Sequence, residues 1–138
     1  MEDAANAPNL EEIEQQFAVK AVGHAQTYWA LLESHRGSGL RLTKDDDAIY
    51  ASLNATFPDL DVRAIDEEAM KSREGKARWR AWMLPWEGKV DDFNFGTLLR
   101  TRADGEYDQA NTIFCPRMQF YAIEIKRNRL ALNDWIVK

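Results

Sequence analysis

Apolar residues recur along this chain with helical spacing in four stretches and with strand spacing in one. Leu10, Ile13, Phe17, Ala21, Ala25, Tyr28 and Leu32 fall at steps of three and four, and Val22 and Trp29 widen the stripe, which predicts one long amphipathic helix. Asn9 followed by Glu12 resembles a capping pair at its start, and Gly37-Ser38-Gly39 ends it in a turn. Thr43 is placed to cap a second helix, with Asp45, Asp46 and Asp47 against its positive end and Ile49, Leu53 and Phe57 as its apolar face. Pro58 stops it, and Leu60, Val62 and Ile65 anchor a connector inward. A third helical region begins at Asp66 or Ser72 and carries Trp79, Trp82 and Trp86 three and four apart, with Pro85 breaking the helix before the last.

The pattern then changes period. Val90, Phe93 and Phe95 interleave with Asp91, Asp92 and Asn94, which suits an extended segment with rings on one side and polar groups on the other. Thr97 to Arg102 reads as a strand, Asp104-Gly105 as a left-handed reversal, and Thr112 to Phe114 as the returning arm. Pro116 opens a final helix running to about Trp135, with one buried face of Met118, Tyr121, Ala122, Ile125 and Leu132; Trp135 is expected to fold back over apolar surface. The expected fold is mainly α: a compact orthogonal bundle of four or five helices, with a small β-hairpin near residues 97–114.

Length and composition fit this. A chain of 138 residues with 45% hydrophobic content makes one domain that buries roughly two thirds of its unfolded surface. Residues 1–9 lack periodicity and are expected to be a mobile tail, leaving 10–138 as the folded unit. The acidic N-terminus lacks a basic region and an apolar run, and no apolar stretch approaches the roughly 20 residues needed to span a bilayer, so a soluble cytosolic protein is expected. Cys115 is the only cysteine, which excludes an internal disulfide and a cysteine-based zinc site within one chain. Asn54-Ala55-Thr56 matches a glycosylation acceptor that, without secretion, meets no enzyme.

The net charge of −5 is unevenly spread, about −9 over residues 1–70 and +4 over 71–138. An acidic total argues against a general nucleic-acid binder, whereas a basic protein partner suits the acidic half. Basic residues interleaved with aromatics from Lys71 to Trp82 could contact single-stranded nucleic acid, but an amphipathic helix with its tryptophans inside explains them more simply. The three aspartates lack the alternation, central Gly and closing Glu of a calcium loop, and the Gly37 turn lacks a phosphate-loop pattern. Only His24 and His35 could titrate near neutrality, and His24 beside the apolar stripe reads as structural. Asp91 and Asp92, adjacent on an extended backbone, would point to opposite faces and so cannot flank a glycosidic bond. Glu124 and Arg127 read as an exposed helix-supporting pair worth roughly 0.2 to 0.5 kcal/mol. The inventory favours binding over catalysis, with no cofactor.

The strings DDFNFGTLLR and NTIFCPRMQFYAIEIKRNR, together with HAQTYWALLE, LRLTKDDDAIY and KARWRAW upstream, carry a resemblance. Collinear from about Phe17 to about Arg129, they resemble the family of polysaccharide biosynthesis domain-containing protein 1. The resemblance implies a small, eukaryotic, cytosolic and mainly helical domain. It implies a folding chaperone that binds the GTP-binding domain of newly made translation elongation factor 1-alpha, at the ribosome, as a monomer and without membrane, nucleic acid or cofactor. The family label supplies the alternative of an enzyme or accessory protein of polysaccharide synthesis; it is shared with methyltransferase-like proteins, whose strand-helix alternation and Gly-rich turn are missing here. Relatives carry a small residue where this chain has Cys115, as in Ala-Pro-Arg, which argues against a catalytic thiol. The expected partner-binding residues are Asp91, Asp92, Phe93 and Asn94, with Trp79, Trp82 and Arg117 near them, and Glu124 with Arg127 on the last helix.

Overall fold

Helix α1 spans Leu10–Ser34, in a computed structural model that describes the backbone of residues 10–138 and side chains from Phe17 onward. The expected tail at 1–9 and the Asn9–Glu12 cap lie outside the described residues. Ala21, Ala25, Tyr28 and Leu32 are buried as the spacing predicts, but Phe17 is 52% exposed and Val22 is exposed too. Periodicity identifies a helix face; it cannot say how far along that face the packing partner extends. Gly37 closes the turn after α1, where an added Cβ would collide with the Asn128 side-chain amide and crowd Asn133.

Helix α2 (Asp46–Thr56) starts three residues after Thr43. Thr43 Oγ1 accepts from the Asp45 N–H, while the buried Asp46 carboxylate reaches back to the N–H groups of Leu42 and Thr43 at 2.8 and 2.7 Å. This is the reciprocal logic of a capping box, which consumes the donors of a helix start. Both start signals further on are used: Asp66 caps α3 (Glu67–Lys71) and Ser72 caps α4 (Arg73–Met83), each accepting a backbone N–H three residues on. Pro85 ends the regular helix, and a 3-10 turn at Leu84–Trp86 carries Trp86 into the core.

Strands β1 (Gly96–Arg100) and β2 (Thr112–Pro116) form an antiparallel pair with Thr97 opposite Cys115 and Leu99 opposite Ile113, all four buried. The reversal is not the tight Asp104-Gly105 turn expected, since neither residue has positive φ. Asn111 holds a longer loop instead: its Oδ1 accepts from Thr101 Oγ1 and the Arg102 N–H, and its Nδ2 donates to the carbonyls of Arg102 and Glu106. One buried amide makes four bonds where a two-residue turn would need left-handed backbone.

Helix α5 (Arg117–Arg129) ends six residues before Trp135. Ala131 adopts φ 60°, the Ala131 and Leu132 N–H groups bond the carbonyls of Asn128 and Arg127, and the chain doubles back. That reversal carries Asn133 under the helix end, where it is wholly buried. Met118, Phe120, Ala122, Ile123 and Ile125 are all buried, so the helix is enclosed on nearly every side and not on one face alone. Among the described residues a mainly helical fold of five α-helices and a two-stranded sheet is thus built around α5.

Glu124 and Arg127 are not an exposed pair: both side chains are inaccessible, 2.7 Å apart. Glu124 Oε1 also accepts from Tyr28 OH (2.8 Å) and Asn133 Nδ2 (3.0 Å), with Arg100 Nη2 at 3.7 Å. Arg127 Nε donates to the Val62 carbonyl, and Arg100 donates to the carbonyls of Ala103 and Gly105 and to Asn133 Oδ1. The rings of Trp29 and Tyr107 lie 5.3 and 5.9 Å from the Arg100 guanidinium. Burial alone pushes the Glu124 carboxyl up, but Arg127 and then Arg100, with the Tyr28 hydrogen bond, hold it below the ordinary glutamate range. A helix-spacing argument could not foresee this, because i,i+3 pairs look alike in sequence whether they face water or another arginine.

Replacing Glu124 by Gln strands two desolvated cations. Glu124→Gln is expected to lose about 3 to 5 kcal/mol in urea unfolding. Arg129→Gln, which removes the surface pair with Asp47 and the guanidinium's contact with the Tyr50 ring, is expected to cost less than about 2 kcal/mol in the same measurement.

Candidate protein-docking face

The segment Val90–Phe95 is not extended. It folds as consecutive turns, with Asp92 at φ 59° and the Phe95 N–H bonded to the Asp92 carbonyl at 2.9 Å. Aspartate tolerates left-handed backbone better than most side chains, which is why the turn can sit here. The first donors of α5 explain its shape. The Arg117 and Met118 N–H groups, which no helical carbonyl can reach, donate to the carbonyls of Phe95 (2.6 Å) and Phe93 (2.7 Å). The loop is thereby fastened to the start of the buried central helix.

This arrangement divides the loop. Val90 is buried and Phe93 packs against the core, while Asp91, Asp92 and Asn94 stand in solvent. Phe95 is half-exposed with the Arg117 guanidinium 5.8 Å from its ring, and Arg117 Nη1 meets Asp92 at 3.4 Å. An aromatic centre ringed by carboxylates and one guanidinium has the make-up of a protein-contact patch.

The other expected contact residues fall elsewhere. Trp79 stacks on Phe57 with ring centroids 4.3 Å apart, and Trp82 Nε1 donates to Ser52 Oγ at 2.9 Å; both indoles are buried. Glu124 and Arg127 lie in the interior network. Of the nine residues singled out from the sequence, the structure brings Asp91, Asp92, Phe93, Asn94 and Arg117 together at one end of α5. Sequence reasoning missed Phe114, which is 50% exposed on the hairpin. The signal was present, since Phe114 sits between Ile113 and Cys115, the inward positions of the same strand.

Two groups with possible chemistry are tuned away from it. Burial pushes the Cys115 thiol up to about 12, so it is not a nucleophile at neutral pH. Burial and the nearby Arg117 charge lower His24 to about 4, and its Nδ1 lies within hydrogen-bond reach of Thr97 Oγ1. Among the described residues no three His, Cys, Asp or Glu side chains are grouped to hold a metal ion, and no helix is long and apolar enough to cross a membrane.

The family model described as PBDC1 protein matches residues 13–138. The chain belongs to the PBDC1 family. It is similar to the PBDC1 homolog of Schizosaccharomyces pombe, 56% identical over 140 residues that cover 99% of this chain and 95% of that protein. Human PBDC1 is 44% identical over 125 residues, covering 91% of this chain and 54% of the human protein. A solution NMR structure of a Saccharomyces cerevisiae protein superposes with a TM-score of 0.87 at 53% identity, covering 98% of this chain and 95% of that one. The resemblance read from the sequence and the full-length match therefore agree, and the PBDC1 region takes in both the loop and the whole of α5.

The His24 environment predicts an acid sensitivity for this PBDC1 chain. With the folded imidazole depressed to about 4 against an ordinary value of 6.5, the unfolded chain binds the extra proton between those limits. Stability is therefore complete above about 6.5 and falls as pH drops toward 4. The loss is expected to be on the order of 1 to 2 kcal/mol after allowing for partial exposure of the ring. Urea unfolding across that range should show the decline in the native chain and a much flatter profile in His24→Gln.

Proposed function

We propose that this chain is a non-enzymatic protein-binding factor, a cotranslational folding chaperone in the cytoplasm for the GTP-binding domain of translation elongation factor 1-alpha. The observation that carries the reading is the acidic-aromatic loop of residues 91–95, fastened to the head of α5 in a chain of the PBDC1 family. A folding client exposes apolar surface only until nucleotide completes its structure. A fixed aromatic patch with a carboxylate rim covers such a surface, and the acidic rim favours a basic client.

Release follows from differential affinity. A chaperone that binds the unfinished domain and not the nucleotide-filled one lets go when GTP repacks the client, because the ligand shifts the client between two states of unequal affinity. The chaperone consumes no nucleotide in this scheme. It works as a monomer at or near the ribosome, where the client's GTP-binding domain first emerges.

The pair Asp91→Lys with Asp92→Asn tests this, asparagine being chosen because it tolerates the left-handed backbone at position 92. Affinity capture from translating cells should recover nascent elongation factor as the dominant prey of the native chain, and at least about tenfold less with the variant. The melting temperature should move by less than about 4 °C, since the lost Asp92–Arg117 contact, at 3.4 Å, joins a half-exposed carboxylate to a guanidinium that stays over the Phe95 ring. Undiminished capture by a folded variant contradicts the reading.

A further inference from the structure

A second face of the molecule has the opposite charge. Between α3–α4 and β2 runs a groove of about 370 Å³ whose cationic wall is Lys71, Lys76 and Arg80 and whose apolar side includes Met83, Phe114 and Pro116. Among the described residues no carboxylate lines it, although the chain as a whole is acidic. Lys71 meets Glu67 at 3.7 Å in an exposed i,i+4 contact, and among the described residues Lys76 and Arg80 make no ion pair. Phe114 is half-exposed, yet its position is fixed: its ring covers Gly96 so closely that a Cβ on Gly96 would collide with it.

The register of the hairpin adds a directional feature. The Thr101 N–H donates to the Asn111 carbonyl at 2.9 Å, just beyond the Arg100–Thr112 pair. Hydrogen-bonded pairs alternate along an antiparallel ladder, so the ones that follow are Leu99–Ile113 and Thr97–Cys115. Thr112 and Phe114 therefore turn their N–H and C=O groups away from β1, and Pro116, which has no N–H, falls in the same outward set. Strand β2 has β1 as its one sheet neighbour, and among the described residues no loop or helix backbone bonds the N–H or C=O of Phe114. An unpaired strand edge is a template for another chain.

We propose that the outer edge of β2, with the Lys71, Lys76 and Arg80 wall, is a docking site for an extended segment of a partner protein that carries both acidic and large apolar side chains. The backbone edge supplies hydrogen bonds, Met83 and Phe114 take an apolar side chain, and the three cations meet carboxylates on alternate positions. Nucleic acid fits less well. Three cations along one groove neutralise few phosphates, and the open strand edge gives a polynucleotide nothing to pair with. Its cations stand on α3 and α4 and the carboxylates of the acidic loop line no part of it, although Pro116 adjoins Arg117, so the molecule offers two neighbouring contacts of opposite sign.

The probe is a short peptide alternating Glu and Leu, titrated into the isotopically labelled full chain and followed by amide shifts and amide exchange. Binding is expected to shift Thr112 and Phe114 and to slow exchange at Phe114. The dissociation constant is expected to rise at least about tenfold in Lys76→Glu/Arg80→Glu, whose exposed positions leave folding intact, and again in Phe114→Ser. A matching Lys and Leu peptide should bind at least about tenfold more weakly. The Asp91→Lys/Asp92→Asn variant should bind the acidic peptide normally, which separates this site from the client patch. Oligouridylate binding as tightly as the peptide, an unchanged Phe114 amide, or protection of that amide by self-association at rising protein concentration would each overturn the proposal.

Discussion

A buried carboxylate held between two buried guanidinium groups is the constraint on which the rest of this structure depends. Glu124 lies with Arg127 and Arg100 at no more than 1% exposure, and each ion is hydrogen-bonded to a different part of the chain. Tyr28 brings α1, Val62 the connector, Arg100 the hairpin, and Asn133 the reversed C-terminal turn. Desolvated ions are costly unless their partners are all in place, so an alternative packing that omitted any one element would leave a charge uncompensated. The apolar core supplies most of the driving force; the charged centre restricts how that core can be assembled.

The loop inherits its order from this centre. Helix α5 carries Glu124 and Arg127 in its body and presents its first N–H groups to the carbonyls of Phe93 and Phe95 at its head. Fixing the helix fixes the loop, and the side chains at 91, 92, 94 and 95 are displayed on a framework that loses little freedom when a partner arrives. That is the physical advantage of a surface loop tied to a core element: less ordering entropy is spent at the moment of binding. The basic groove beside β2 is built in the same economical way, with β2 shared between the core and the surface.

Much of the fold was legible because it obeys local rules. Asp66 and Ser72 each cap a helix, Pro85 ends one, Pro116 opens another, and Ile49, Leu53 and Phe57 are buried as their spacing demands. What failed did so where a distant residue decides the outcome. Val90–Phe95 alternates like a strand, yet the orphan donors of α5 bend it into turns. Asp104-Gly105 looks like a tight reversal, yet Asn111 imposes a wider one. Glu124 and Arg127 have the spacing of a solvated pair, yet Arg100, 24 positions before Glu124 in sequence, draws them inward. The tryptophans show the converse: Trp79 and Trp82 were plausible contact residues, and their burial follows from the simpler amphipathic reading of α4. Part of the candidate site was therefore visible as a string of residue types, but which of them reach the surface depended on contacts that no spacing records.

The most direct measurement is amide hydrogen exchange on the chain alone and mixed with the newly translated GTP-binding domain of elongation factor 1-alpha, the proposed client. The account predicts that the amides of residues 91–96 slow on capture, while those inside α5 exchange only through global unfolding in both states. Protection confined to other surfaces, or an α5 that opens readily in the free chain, would contradict it.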